Sequence, residues 1–240
     1  MIKTMKRKPG KNETGRRGEQ DDGEYTPAST VKEYLTVQTG SSSGEQRTDM
    51  DPHDFCNAGK LVIGPRKILV IGTLGSGKTT LAESLVRDTG FPYASIDECR
   101  VRYGDHTVSG EDCAWDHFLE ICGRPEPGIL EFSGGGPHVD EVRKNLLCST
   151  IPVSVIWLVL PLDTCITRAL QRQKDIPSPF PWGPVEYSVP AIHDSIECAW
   201  DSVWSREPGF LATRQVFGST TSVTEMYSVI REICSVRPVF

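Results

Sequence analysis

Short apolar runs alternate with amphipathic segments from about residue 66 to about residue 235 of this 240-residue chain. In the amphipathic segments the apolar residues recur at helical spacing, whereas the short runs have the length and β-branched content of strands. This alternation predicts a parallel β-sheet with helices on both faces. The run from Val155 to Leu160 is uninterrupted, which predicts a central strand buried on both faces.

The predicted elements follow one another in a regular order. Strands are predicted at residues 68–71, 93–96, 128–132, 153–160 and 215–217. Helices are predicted after the first glycine-rich turn and at residues 111–122, 139–147, 163–173, 192–204 and 222–234. Five prolines between residues 174 and 190 predict a loop there, because proline interrupts helices and central strands.

The first predicted strand runs directly into a glycine-rich stretch. Residues 72–79 fit the pattern G-x-x-x-x-G-K-[ST] at every position, and an amphipathic helix follows them. This order of strand, loop and helix is typical of a phosphate-binding loop, whose backbone N–H groups bind the phosphates of a nucleotide. Lys78 would reach the β- and γ-phosphates of ATP, and the Thr79 hydroxyl would bind Mg²⁺. The predicted nucleotide-binding residues are Gly72, Thr73, Leu74, Gly75, Ser76, Gly77, Lys78, Thr79 and Thr80.

The composition narrows the class of protein. No apolar run is long enough to span a bilayer, and no apolar segment follows the basic amino terminus as it would in a secretory signal. We therefore expect a cytoplasmic protein without membrane contact, as a monomer or a dimer. The eight cysteines have no C-x-x-C spacing, which favours reduced core residues over a disulfide or zinc framework. A net charge of −6 argues against a large nucleic-acid surface, although a local basic patch stays open.

The amino-terminal stretch differs from the rest of the chain. Residues 1–58 are rich in Gly, Ser, Thr and charged residues, with apolar density only from Val31 to Val37. This composition predicts a disordered polar tail before a globular domain at residues 59–240. The basic start is interpreted as a solvated tail, with nucleic acid or a membrane surface as the alternative.

With these residues placed, residues 66–235 resemble the small P-loop kinases of the nucleoside-monophosphate-kinase and shikimate-kinase type, among the P-loop and AAA-type ATP-binding domains. The resemblance implies a three-layer α/β fold with a five-stranded parallel sheet, and a mobile lid at about residues 171–190. It rests on the Gly72–Thr79 loop, on Asp97 after the second strand, on Gly134, Gly135 and Gly136 after the third, and on a strand and helix carrying Arg168 and Arg172.

The same resemblance implies roles on the acceptor side. Asp97 would orient or deprotonate the acceptor hydroxyl, and the glycines at 134–136 would approach the substrate. The alternative for Asp97 is a helix cap, because aspartate is favoured there. The sequence departs from the shikimate-kinase pattern, since helix 111–122 has no arginine and Asp97 is the only aspartate where two are usual. These departures argue against shikimate itself as the acceptor.

The remaining candidates each have two interpretations. Glu131 alternates with Leu130 and Phe132 on a buried strand, which favours a contact with a metal-bound water or Lys78 over exposure to solvent. Arg100 either binds an anionic acceptor or lies on a helix surface. Arg168 and Arg172, four residues apart, either stabilise charge on the transferring phosphoryl group or form a surface pair with nearby aspartates.

Three functions are therefore compatible with the sequence. The first is a Mg²⁺- and ATP-dependent kinase whose acceptor is an unidentified small molecule or nucleotide. The second is a kinase of polynucleotide 5′-hydroxyl ends, which the acidic composition disfavours. The third is a regulatory protein that binds and hydrolyses NTP without a small acceptor. The pattern predicts phosphoryl chemistry but does not identify the acceptor.

Overall fold

A computed structural model of the protein describes residues 63–171 and 183–235, which form an α/β unit around a five-stranded parallel sheet. The strand order is β2-β3-β1-β4-β5. The strands are β1 (Lys67–Ile71), β2 (Tyr93–Ser95), β3 (Gly128–Glu131), β4 (Val153–Val159) and β5 (Phe210–Val216). The helices are α1 (Lys78–Thr89), α2 (Ile96–Tyr103), α3 (Val108–Gly123), α4 (Val139–Cys148), α5 (Leu162–Gln171), α6 (Val185–Ala199) and α7 (Val223–Ser235).

Both faces of the sheet are apolar, as the uninterrupted strand patterns predicted. Along β1, Ile68 and Val70 face one side, where helices α1, α5 and α7 cover the sheet. Leu69 and Ile71 face the other side, which α3, α4 and α6 cover. β1 lies between β3 and β4, so the loop that follows β1 emerges at the middle of the sheet. The predicted three-layer α/β class and the parallel sheet are confirmed.

The structure differs from the predicted elements in three places. Helix α2 begins at Ile96, where a strand end was expected, because Ser95 caps it by accepting a hydrogen bond from the backbone N–H of Glu98. Strand β5 begins at Phe210, five residues before the predicted strand. Helix α6 begins at Val185, so the loop predicted for residues 174–190 is wrong at its carboxyl end.

The position of Pro190 explains why the predicted loop extended too far along the chain. This proline lies inside α6, close enough to the amino terminus that the backbone hydrogen bond it cannot make falls in the first turns. The carbonyl of Val189 accepts a hydrogen bond from the Thr73 hydroxyl at 3.1 Å.

The predicted tail at 1–58 and most of the predicted lid, residues 172–182, lie outside the described residues.

Two further expectations concern membranes and cysteines. Within residues 63–171 and 183–235, no helix has the length and apolar character needed to cross a membrane. The seven cysteines of the described part of the chain are free thiols, and four of them are buried as predicted. The buried ones are Cys99, Cys122, Cys165 and Cys234.

Candidate functional site

The loop between β1 and α1 has the backbone conformation that its glycines allow. Gly75 and Gly77 have φ angles of 75° and 90°, in the left-handed region that favours glycine. A Cβ atom on Gly75 would lie 2.3 Å from the backbone oxygen of Cys165, so the start of α5 packs directly on the loop. Gly72 donates its backbone N–H to the oxygen of Ser133, which fixes the loop to the end of β3.

This loop fits the phosphates of a nucleotide. It ends at the amino terminus of α1, where the cap residue is Gly77. Because glycine has no side chain, no side-chain hydrogen bond caps this end of the helix. The Ser76 hydroxyl is buried and has no hydrogen-bond partner among the described residues. The Lys78 ammonium group donates to the backbone oxygen of Thr73 at 3.1 Å, so the side chain lies against the predicted phosphate-binding loop. These donors are those that a bound triphosphate requires.

Thr79 and Glu131 lie side by side at the carboxyl ends of the strands. The Thr79 hydroxyl donates to Oε1 of Glu131 at 3.0 Å, and Tyr93 donates its hydroxyl to Oε2 of the same carboxylate. Glu131 is buried with a relative exposure of 6%. A hydroxyl and a carboxylate are oxygen ligands of the kind that Mg²⁺ prefers, so the pair fits the predicted metal site. Burial, together with the charge of Glu131 and the hydrogen bond to it, raises the pKa of Tyr93, which therefore stays protonated.

Eight of the predicted site residues line one cavity of about 650 Å³. It lies at the carboxyl ends of β1, β2 and β3, where ligands bind in open parallel sheets. The predicted residues that line it are Gly72, Leu74, Lys78, Asp97, Arg100 and Glu131, and Gly135 and Gly136 also contribute. Residues from both the predicted nucleotide-binding set and the predicted acceptor-binding set therefore line one cavity.

Asp97 lies in the first turn of α2, and the cap of that helix is Ser95. The alternative interpretation of Asp97 as a helix cap is therefore wrong. Its Oδ1 accepts a hydrogen bond from Nη1 of Arg100 at 3.2 Å, whereas Oδ2 has no hydrogen-bond partner in the described residues. About 39% of the Asp97 side chain is exposed, and Asp97 lines the cavity.

Arg100 is held by a second carboxylate. Its Nε donates to Oε2 of Glu111 on α3 at 2.9 Å, and Nε1 of Trp115 donates to Oε1 at 2.9 Å. Burial alone would raise the pKa of Glu111, but the hydrogen bonds and the charge of Arg100, with the bond from Trp115, hold it below its usual value. Burial lowers the pKa of Arg100, but the two carboxylates more than offset this effect and the guanidinium stays charged.

The glycine run after β3 packs against α6 and the π-helical turn that follows it. Gly134 and Gly136 have φ angles of 94° and 96°, and a Cβ atom on Gly134 would lie 2.5 Å from the side chain of Ile71. The indole of Trp204 donates to the oxygen of Gly134 at 2.8 Å, and the backbone N–H of Gly136 donates to the Ser195 hydroxyl at 2.9 Å. The need for glycine at 134 thus follows from packing, beside any contact with a substrate.

The predicted arginine pair is only partly described. Arg168 is half-buried on α5, and it does not line the cavity formed by the described residues. Burial raises the pKa of the Cys165 thiol, and the charges of Arg168 and Lys78 both oppose that rise, so both cations lie near Cys165. Arg172 lies outside the described residues.

The sequence interpretation did not include several side chains of this cavity. These residues are Glu111, Trp115, His138, Ser188, Ile192 and Ser195. Glu111 was placed in a predicted helix, but its pairing with Arg100 depends on how α2 and α3 pack. Ser188 and Ile192 belong to α6. The part of α6 before residue 191 was interpreted as loop because of its prolines, and Ile192 was predicted only as the start of a helix. Helical spacing of Val185, Val189 and Ile192 was the signal that could have located them.

Comparisons with known proteins found similarity to several kinases. No protein-family model matches the chain. The chain is 25% identical to a shikimate kinase of Flavobacterium johnsoniae over 121 residues, which cover 46% of this chain and 69% of that protein. An unliganded sugar kinase of a Janibacter species has a TM-score of 0.48 at 17% identity, covering 73% of this chain and 97% of its own. A shikimate kinase of Acinetobacter baumannii in complex with shikimate has a TM-score of 0.47 at 18% identity, covering 70% and 90%.

The chain therefore has the fold of the small-kinase P-loop NTPases. The strand order, the loop from Gly72 to Thr79 and the similarity to a kinase lead to the same class. The predicted enzyme class, a phosphotransferase, is confirmed at this level. The residues that line the cavity bear on the more specific question of which molecule is bound and phosphorylated.

Proposed function

We propose that this protein is a Mg²⁺-dependent kinase that transfers the γ-phosphoryl group of ATP to a hydroxyl of a small molecule or nucleotide. The observation that carries the proposal is that Lys78, from the phosphate-binding loop, and Asp97, with one oxygen facing no described partner, line the same cavity. A phosphoryl donor and a hydroxyl acceptor must lie in line for transfer, and one cavity provides both positions.

On the donor side, the backbone N–H groups of residues 72–79 would hold the phosphates of ATP, and Lys78 would turn from the Thr73 oxygen to the β- and γ-phosphates. Thr79 and Glu131 would hold Mg²⁺, directly or through water. When bound, Mg²⁺ would offset the negative charge that develops on the transferring group. Arg168, close to Cys165 and hence to the loop, is proposed to add a positive charge there, together with Arg172.

On the acceptor side, Oδ2 of Asp97 would accept the proton of the acceptor hydroxyl. The hydroxyl oxygen then forms a bond to the γ-phosphorus, and the bond between that phosphorus and the bridging oxygen of ADP breaks. ADP leaves with the electron pair of the broken bond, and the proton stays on Asp97 until it is released to water. A positioned acid–base group of this kind typically contributes roughly 10²–10⁴-fold to the rate.

The test is a screen for ATP-dependent phosphorylation followed by the Asp97→Asn variant. The screen covers sugars, nucleosides, nucleoside monophosphates, hydroxy acids and oligonucleotides with a free 5′-hydroxyl. We expect Asp97→Asn to bind ATP almost as the wild type does and to transfer phosphate roughly 10²–10⁴-fold more slowly. Asp116→Asn, an exposed change on α3, is the matched control and keeps the wild-type rate.

Three outcomes would contradict the proposal. Transfer by Asp97→Asn at the wild-type rate would show that this carboxylate does not take part in the reaction. ATP hydrolysis that a protein partner accelerates, with no acceptor phosphorylated, would instead support the regulatory alternative. Phosphorylation of oligonucleotides alone would support a polynucleotide kinase, against the acidic composition of the chain.

A further inference from the structure

The ionisable side chains beside Asp97 bear on the kind of acceptor that this cavity can hold. We define the acceptor wall as Asp97, Arg100, Glu111, Trp115 and His138, all of which line the cavity. It brings two carboxylates and one guanidinium together. An anionic acceptor would need a cation that is available to it, because a charge buried without a partner is costly.

The guanidinium of the acceptor wall is already engaged on two sides. Arg100 donates through Nη1 to Asp97 and through Nε to Glu111, at 3.2 Å and 2.9 Å. Only 14% of its side chain is exposed, and its guanidinium carbon lies 5.8 Å from the centre of the Trp115 ring. Binding an acceptor carboxylate or phosphate would require Arg100 to leave at least one of these partners, in a buried setting where the bonds are strong.

The histidine of the acceptor wall is balanced in the same way. Nδ1 of His138 lies 2.6 Å from Oε2 of Glu141, and its ring stacks on Trp115 with centroids 4.0 Å apart. A positive charge on His138 would therefore be matched by Glu141. Among the described residues, the acceptor wall then has an excess of negative charge, because Arg100 faces both Asp97 and Glu111.

The other surfaces near the acceptor wall are apolar or uncharged. Ile96, Pro137, Ala191 and Ile192 line the cavity beside the hydroxyls of Ser188 and Ser195. Such a lining provides area for a ring and hydrogen bonds for hydroxyl groups. It offers an anion no positive charge to compensate for the water that it would lose.

We propose that the acceptor is an uncharged alcohol of the sugar or nucleoside class, and that hydroxy acids and nucleotides are excluded by the charge of the acceptor wall. This inference rests on the proposed kinase function, since it concerns the substrate of the same cavity. An uncharged hydroxyl needs a single acceptor for its proton, and Oδ2 of Asp97 is suited to that role. The ion pairs of Arg100 then stay intact during binding.

The primary experiment compares matched uncharged and anionic compounds with the full-length protein. The pairs are methyl shikimate and shikimate, glucose and glucuronate, and adenosine and AMP. Transfer from ATP is measured as kcat/KM, and binding is measured separately from the shift of Tm in the presence of ADP and Mg²⁺. We expect an uncharged member to exceed its anionic partner by about tenfold or more in either measurement, as one unpaired charge would produce.

A variant then tests the acceptor wall itself. Glu111→Gln removes one of the two carboxylates that hold Arg100 and should reduce the preference for the uncharged member by about tenfold. Asp112→Asn, the neighbouring exposed carboxylate on α3, is the matched control and should leave the preference unchanged. The Tm of each variant shows whether it is folded. If Glu111→Gln does not fold, the comparison of uncharged and anionic compounds with the wild-type protein still tests the proposal.

Each outcome decides between the two proposals. If an anionic compound is preferred to its uncharged partner, or equals it, in transfer or in binding, the proposed acceptor class is overturned. The kinase proposal is left intact by that result. Uncharged members that raise Tm but are never phosphorylated support the acceptor class and contradict the kinase proposal. If no pair of compounds shows either transfer or binding, both proposals are contradicted. An unchanged preference in Glu111→Gln would show that the charge of the acceptor wall does not set it.

Discussion

The hydroxyl of Tyr93 donates a hydrogen bond to the carboxylate of Glu131, although the two residues are 38 positions apart in the chain. The parallel register places Ser95 of β2 opposite Glu131 of β3, and Tyr93 lies two residues before Ser95 on the same face. The ring is therefore a diagonal neighbour of the carboxylate, within reach of a tyrosine side chain. Since Thr79 donates to the other oxygen of Glu131, Tyr93 fixes a side chain of the proposed metal site.

Tyr93→Phe should weaken the response of the enzyme to Mg²⁺. The change removes one of the two hydrogen bonds that orient Glu131, and loss of an outer partner of a metal ligand costs roughly tenfold or more in metal affinity. The measurement is the Mg²⁺ concentration that gives half-maximal ATP turnover. Tyr227→Phe is the matched control, because Tyr227 also donates to a carboxylate, that of Asp88 near the carboxyl end of α1. An equal Mg²⁺ requirement in wild type and Tyr93→Phe would refute the positioning role.

Lys78→Ala should bind ATP about 10- to 100-fold more weakly, since a hydrogen bond to a charged group typically contributes about 1.5–3 kcal/mol. The fold should persist, because Lys78 is only half-buried and is not part of the apolar core. Titration with a fluorescent ATP analogue measures the affinity. Lys144→Ala, an exposed change on α4, serves as the control. Wild-type affinity in Lys78→Ala would mean that this loop does not bind the phosphates.

Gly75→Ala should destabilise the protein more than Gly90→Ala does. Both glycines have left-handed φ angles, 75° and 72°, so both variants carry a backbone cost of about 1–2 kcal/mol. A Cβ atom on Gly90 meets nothing within 4 Å, whereas one on Gly75 would lie 2.3 Å from the Cys165 oxygen and add about 1–3 kcal/mol of overpacking. Urea unfolding of the two variants gives the difference. Equal destabilisation would show that α5 moves away from the loop without cost.

Cys122 should make the free energy of unfolding depend on alkaline pH. Burial raises its pKa to about 12 from the ordinary value of 9.0, and Lys67 only partly opposes this rise. The native state therefore keeps the proton longer than the unfolded chain, so this stability is complete below pH 9 and is lost as the pH rises towards 12. Cys122→Ala should show a shallower fall in urea stability between about pH 8 and about pH 11.

The control for this pH dependence is Cys113→Ala, an exposed change on the same helix, which should retain the wild-type slope. Removal of the Cys122 sulfur also costs packing energy, but that cost applies at every pH and leaves the slope unaffected. An identical slope in wild type and Cys122→Ala would contradict the assignment of the titration to this thiol.

Local sequence patterns were sufficient to locate the loop of the proposed donor site. The loop from Gly72 to Thr79 has its chemistry in consecutive residues, and the strand and helix on either side follow from periodicity. Glu131 was predicted to contact a metal-bound water or Lys78 from its alternation with apolar neighbours, and its carboxylate accepts a hydrogen bond from the Thr79 hydroxyl. Its role at a metal stays a prediction. These features depend on neighbours in the chain, which a sequence displays directly.

The acceptor half could not be predicted in the same way. The pairing of Arg100 with Glu111 depends on the short loop that turns α2 against α3, and the position of Ser195 depends on the placement of α6. Propensity also misled, since Pro190 favours a loop but is accommodated near the start of a helix. Tertiary packing decides such positions, and no local pattern encodes it.

Helix α6 contacts both halves of the cavity. Its Val189 carbonyl binds the Thr73 hydroxyl in the nucleotide loop, and its Ser195 hydroxyl binds the N–H of Gly136 beside the acceptor wall. A shift of α6 would therefore change both proposed binding surfaces at once. Thermodynamic linkage then requires that ATP alters the affinity for the acceptor by the same factor as the acceptor alters the affinity for ATP. The two substrates are expected to bind interdependently, with α6 as the element that both of them bias.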